Sequence, residues 1–174
     1  MNTLKITKKD LDKDGFYIGK VDFSEYSKKY DGQIEIEGNL GSVRFKKGLH
    51  CAYSITASAG SGISAGEGIS AGRGISAGSG ISAGSGISAG EGISAGEGIS
   101  AKLELSASYN IFAGVSRWKK AEGDDKKITC GKLVKGTIAY GDLVETGIAT
   151  TEKSLAGTEV TVTVGDKIYK TVIQ

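Results

Sequence analysis

Proline is absent from all 174 residues of this chain, although ordinary usage of about 5% would place roughly nine there. Aromatic residues are scarce at 7%, so any core must be mainly aliphatic. The two cysteines, Cys51 and Cys130, stand too far apart for a disulfide framework or metal-ligand spacing. They read as buried free thiols in a reducing compartment. The single histidine, His50, reads as a packing or surface residue rather than a base. No apolar run approaches the roughly 18 residues that a membrane helix needs, and Met1–Asp10 lacks the apolar core of a secretory leader. The expected location is therefore the cytoplasm, or host cytoplasm for a phage-encoded chain, with no membrane partner. An excess of one charge is missing too. The net charge is +2, with ten basic and eight acidic residues in 1–50 and eleven and nine in 102–174, which argues against a nucleic-acid partner.

Glycine, with 28 residues, is abundant and ordered. From Gly60 to Ala101 the hexapeptide Gly-x-Gly-Ile-Ser-Ala recurs seven times, with Ile63, Ile69, Ile75, Ile81, Ile87, Ile93 and Ile99 in step. Only x varies: Ser61, Glu67, Arg73, Ser79, Ser85, Glu91, Glu97. A short fixed period with one large apolar residue per unit marks a stacked, quasi-one-dimensional fold rather than a linker. On a strand Ile and Ala point the same way and Ser points out. Gly-x-Gly then supplies backbone freedom for a bend, with x at a wet corner, since an unpaired buried charge would be prohibitive. The isoleucines form a core ladder, and Glu67, Arg73, Glu91 and Glu97 are exposed corners. If residues 18 apart stack, the corner columns read Ser61–Ser79–Glu97, Glu67–Ser85 and Arg73–Glu91, with the one cation over an anion.

No segment shows a capped 3.6-residue period. Strands are expected at Thr3–Thr7, Phe16–Phe23, Gln33–Glu37, Ser42–Lys46 and His50–Ala59, and Leu103 and Leu105 keep the apolar alternation after the repeats. Arg117–Lys127 reads as a surface loop, with turns at Gly131, Gly136, Gly141 and Gly147. Val160–Val164, Gly165-Asp166 and Lys167–Ile173 read as a closing β-hairpin. The expected fold is an all-β, single-stranded parallel β-solenoid, three-sided with about 18 residues per coil and handedness undetermined. Strand-rich caps complete it: an N-terminal cap over 1–59, the repeat solenoid over 60–106, then degenerate coils, loop and hairpin over 107–174.

The spacing resembles that of hexapeptide-repeat β-solenoid proteins, and the tail Lys132-Leu-Val-Lys-Gly-Thr-Ile-Ala-Tyr-Gly-Asp-Leu-Val144 loosely resembles bactofilin-type polymer-forming solenoids. The resemblance is architectural and covers roughly 33–145. The left-handed family places a small residue two positions before its large aliphatic. Here Ala follows by two, which leaves handedness open. The acyltransferases common in that family use a catalytic histidine, whereas His50 lies outside the repeats.

Three features suggest chemistry. Asp10, Asp12 and Asp14 alternate before Gly15 as calcium-loop carboxylates do, but the twelfth position, which should be a bidentate Glu, is Val21. Arg117, Trp118, Lys119 and Lys120 mix an aromatic with three cations in a candidate partner-binding loop. Ser64, Ser70, Ser76, Ser82, Ser88, Ser94 and Ser100 would form rows of hydroxyls, a pattern that suggests ice or carbohydrate binding. No catalytic set and no cofactor motif emerges, and calcium is the one cofactor suggested. The reading that absorbs most features is a non-enzymatic scaffold or protein-binding protein that recognises another protein at its non-repeating ends, with self-association through ends or faces as a variant. A phage-encoded inhibitor of a host defence nuclease, of anti-CRISPR or anti-restriction type, is the alternative, and the Ser-ladder binder is another.

Overall fold

The computed structural model describes residues 2–23, 29–116 and 120–147, together with the backbone of strands Glu159–Val164 and Lys167–Val172. The described residues are all-β, with two short 3-10 turns among them at Lys8–Asp10 and Gly123–Lys126. Fourteen strands join one parallel sheet that curls on itself. The hairpin strands Glu159–Val164 and Lys167–Val172 pair antiparallel in a separate two-stranded sheet.

Each repeat contributes one three-residue strand, Ile-Ser-Ala, and each strand pairs with those three repeats away. Ile63 pairs with Ile81 and Ile81 with Ile99. Ile69 pairs with Ile87 and Ile87 with Leu105. Ile75 pairs with Ile93 and Ile93 with Ile111. Three rows of strands result, numbered by where each begins along the chain. The row of Ile75 and Ile93 is the first, that of Ile63 and Ile81 the second, and that of Ile69 and Ile87 the third. The corners are paired as well: the amides of Ser79, Glu97, Ser85 and Glu91 donate to the carbonyls of Ser61, Ser79, Glu67 and Arg73. Backbone groups that a bend would orphan are thereby satisfied. Every repeat isoleucine is 1% exposed, and the alanines that follow are buried beside them.

The rows begin before the repeats. Val43, Leu49 and Ile55 pair beneath Ile63, Ile69 and Ile75, so the stretch expected as one strand over His50–Ala59 is two, Leu49–Cys51 and Ile55–Ala57, divided at the corner Ala52–Ser54. Two additional residues, Ser58 and Ala59, precede Gly60, which takes φ +74°. That insertion turns Ser61 inward. Ser61 was expected at a wet corner but is fully buried, donating to the Glu37 carbonyl at 2.7 Å and accepting from the Leu40 amide at 2.9 Å.

Repeat glycines after Gly60 serve close approach rather than unusual dihedrals. None takes a positive φ. A Cβ on the first glycine of a unit would strike backbone: at Gly84 the Gly66 carbonyl, at Gly90 that of Gly72, at Gly96 that of Gly78. The second glycine is looser. A Cβ on Gly74 would meet the Gly92 oxygen at 3.4 Å, and Glu104 and Asn110 occupy the equivalent positions further on.

After Ala113 the period shortens. Ile128, Leu133, Ile138 and Leu143 recur every five residues, and strand Lys127–Tyr140 follows Ile99–Ala113 only through repeated register shifts. Two of these shortened corners turn on left-handed glycines, Gly136 and Gly141, with φ +116° and +125°. Gly131, expected at a turn, lies inside the strand and is buried. Leu103, expected to alternate inward, holds an x position and is 40% exposed. Phe16–Phe23 is not a strand. It contributes isolated bridges, Leu11 with Tyr17 and Phe16 with Arg44, because its aromatic residues fold over the sheet end.

Candidate functional site

The repeat surface presents shallow grooves between outward hydroxyls and corners. One, of about 560 Å³, is lined by Ser64, Ser82, Ser100, Glu97, Asp124 and Lys127. Another, of about 430 Å³, runs past Ser70, Ser88, His50, Leu103, Glu104 and Val134. A third, of about 320 Å³, follows Thr56, Ser76, Ser94, Glu91, Asn110 and Phe112. The hydroxyl columns are in register, Ser64 with Ser82 and Ser82 with Ser100, and they terminate in unlike residues such as Arg44, His50 and Phe112.

Among the expected corners, Arg73 and Glu91 are exposed, whereas Glu67 and Glu97 are only half-exposed. Glu67 bends toward Lys47, and Oε1 lies 2.8 Å from Nζ. Glu97 lies in the first groove. The Arg73 guanidinium stands 5.5 Å from the centre of the Tyr53 ring, the residue beneath it. Both contacts are surface contacts that solvent screens, so they fix corner geometry more than they stabilise the fold.

The N-terminal end is aromatic. Tyr17, Phe23 and Phe45 meet with ring centroids 5.5 to 5.6 Å apart. Arg44 stacks on Phe16 at 4.4 Å. A pocket of about 280 Å³ opens here between Ile18, Lys20, Phe23, Phe45, Lys46 and Lys47, and Ile18 is 60% exposed beside it. Burial raises the Tyr17 phenol pKa, against a hydrogen bond from the Val21 amide that lowers it. The sequence reading missed this cluster, though a signal exists. Phe45 pairs with Ala65, so it fills a position that is alanine in every repeat. A ring fits there only where the column ends.

The three aspartates are not brought together. Asp10 Oδ2 accepts from the Thr7 amide and hydroxyl at 2.8 and 2.9 Å. Asp12 Oδ1 accepts from the amides of Asp14 and Phe16 at 2.9 and 2.8 Å. They order two turns, and no group of three His, Cys, Asp or Glu side chains among the described residues could hold a metal. Arg117, Trp118 and Lys119 lie outside the described residues, as do Gly165, Asp166 and Ile173; Lys120 is exposed.

His50 is 4% exposed in the third row, paired with Ser70. Burial pushes its pKa below 6.5, aided by Lys29 and opposed by Glu67. Cys51 and Cys130 are buried free thiols. Burial raises the Cys51 pKa to about 11, which keeps it an unreactive thiol. Comparison with protein-family models, with curated proteins and with solved structures finds no match to this chain.

Proposed function

We propose that the three rows close into a three-sided solenoid of about 18 residues per coil, and that the chain is a non-enzymatic scaffold that binds another protein through its non-repeating ends. One observation carries the functional reading. The described large apolar side chains that stand exposed are Ile18, Leu103, Tyr109, Val115, Val134, Tyr140, Leu143 and Val144, and each lies outside Gly60–Ala101. Aromatic anchors such as Tyr109 and Tyr140 carry a large share of protein recognition, whereas hydroxyls of the kind the repeats present contribute little. The repeat then sets the spacing between two differentiated ends. An inhibitor of a nuclease would be one protein of this kind.

Photocrosslinking residues placed at 18, 109 and 85 in the full chain test the reading in a lysate of the native host. The expected result is one stoichiometric adduct from position 18 or 109 and none from 85. Adducts from 85 alone, or filaments of dispersed length by electron microscopy, would replace end recognition with face binding or polymerisation. A second reading, binding of ice or carbohydrate, is favoured by the in-register hydroxyl columns. It predicts that Ser82→Tyr abolishes thermal hysteresis or glycan retention.

A further inference from the structure

The aromatic pocket at the N-terminal end is closed by a turn that folds back on its own tyrosine. The Val21 amide donates to Tyr17 Oη at 3.3 Å, and with Tyr17 in place a Cβ on Gly19 would strike its ring. The turn covers Phe23 and Phe45, which are 7% and 3% exposed, yet leaves Ile18 60% exposed at the mouth. At about 280 Å³ the pocket falls just below the roughly 300–1,000 Å³ that encloses a drug-sized ligand. It suits one large side chain.

The rim has a sign. Lys20, Lys46 and Lys47 line the pocket against one lining acid, Asp22. Lys47 is held by Glu67 at 2.8 Å, so Lys20 and Lys46, both exposed, are the cations that face an incoming group. A nucleic acid suits the charge but not the floor. Phe23 and Phe45 meet edge to face and are buried, which leaves them no open face for a base to stack on. A second copy would bring the exposed strand Asp142–Glu145, whose Leu143 continues the column of Ile128. One of its two acids is already engaged, since Glu145 Oε1 accepts the Leu133 amide at 2.6 Å.

We propose that this pocket takes one large apolar side chain of a different protein, flanked in that partner by carboxylates that meet Lys20 and Lys46. The inference rests on the reading of end recognition and names the chemistry that the partner presents at the N-terminal end. Apolar anchoring supplies the affinity, and the complementary charge selects the segment.

Nuclear magnetic resonance titration of the full chain with the peptide Glu-Asp-Phe-Asp-Glu tests it. Saturable shifts are expected at the amides of 17–23 and 45–47, with those of Ile69–Ala95 unmoved. Affinity should fall roughly tenfold when the peptide's Phe is replaced by Ala, and roughly fivefold to tenfold in K20E/K46E. That variant should in turn prefer Lys-Lys-Phe-Lys-Lys. Absence of shifts at 17–23, or equal binding of the Ala peptide, would overturn the proposal. Tighter binding of a single-stranded octamer of thymidine at the same amides would assign the pocket to nucleic acid instead. Shifts at 17–23 that grow with protein concentration alone would assign it to a second copy. A photocrosslinked adduct at position 18 without any peptide response would keep end recognition and discard the acidic anchor. Loss of adducts at both 18 and 109 would remove end recognition itself.

Discussion

At the N-terminal end of the sheet the edge of the second row is taken up by irregular chain: the Arg44 amide donates to the Gly15 carbonyl and the Tyr17 amide to the Arg44 carbonyl, both within 2.9 Å. The third row is treated alike, with Tyr30 exchanging two hydrogen bonds with His50 and Ala52. Aromatic rings then fill the space beneath. At the C-terminal end no described residue pairs beyond Asp142–Glu145, and the column residue Leu143 stays wet. The difference shows what a periodic interior cannot do for itself. Each repeat strand is satisfied only by neighbours above and below, so whatever closes an end must depart from the period.

The largest effect in prospect separates interior from ends by length. Deleting Gly72–Ala89 removes three repeats and brings Ile93 onto Ile55 in the same row, so the shortened chain should keep a cooperative thermal transition. Deleting Gly84–Gly86 joins Ala83 directly to Ile87 with no corner, and cooperative unfolding should be lost. Equal behaviour of the two in calorimetry would mean that the corners do not set the phase of the rows.

Next come the glycines. Gly84→Ala drives a Cβ into the Gly66 backbone, which should cost about 3 kcal/mol because that backbone, its amide bonded to the Phe45 carbonyl at 2.9 Å, has little room to shift. Gly74→Ala meets ordinary contact at 3.4 Å and should change stability by no more than about 0.5 kcal/mol. Urea denaturation of both variants measures the gap, and a gap below about 1 kcal/mol would refute the close-approach account.

How much of this was legible in the sequence depends on the periodicity. The hexapeptide gave strand positions, the inward Ile–Ala faces and the corner columns, because one large residue per six leaves a single way to bury it. It misled on Ser61, because the two inserted residues before Gly60 act on the corner that follows them and a local motif does not register them. The five-residue spacing from Ile128 to Leu143 was visible in the glycines, though not that Gly136 and Gly141 take positive φ while Gly131 stays within the strand. The aromatic end was the least legible: Phe45 meets Tyr17 and Phe23 through a fold-back of residues 16–23 that alternation made look like a strand. Among candidate site residues, Asp10 and Asp12 carry turn hydrogen bonds that spacing alone could not distinguish from metal ligands.

A smaller effect divides one corner column. Ser61→Ala removes the hydroxyl that bridges the Leu40 amide and the Glu37 carbonyl through two part-buried bonds, and should cost about 1–1.5 kcal/mol. Ser79→Ala, one step up the same column at a partly exposed corner, should stay within about 0.5 kcal/mol. Similar losses at both would show that the inserted residues do not distinguish the N-terminal end of the column from its interior.

The smallest effect is a slope. His50 heads a column that continues as Ser70, Ser88 and Ser106, and burial depresses its pKa in the folded chain. The unfolded chain takes up a proton near pH 6.5, whereas the folded chain resists until lower pH. The stability that neutral His50 contributes is thus fully present above about pH 6.5 and falls as the solution is acidified toward the folded pKa. His50→Gln keeps a polar side chain but cannot titrate, so its stability should fall less steeply than the parent's between about pH 7 and 5. Urea midpoints at several pH values measure the two slopes. Parallel slopes would mean that His50 is protonated as readily in the folded chain as in the unfolded one, and that the covered N-terminal end admits water.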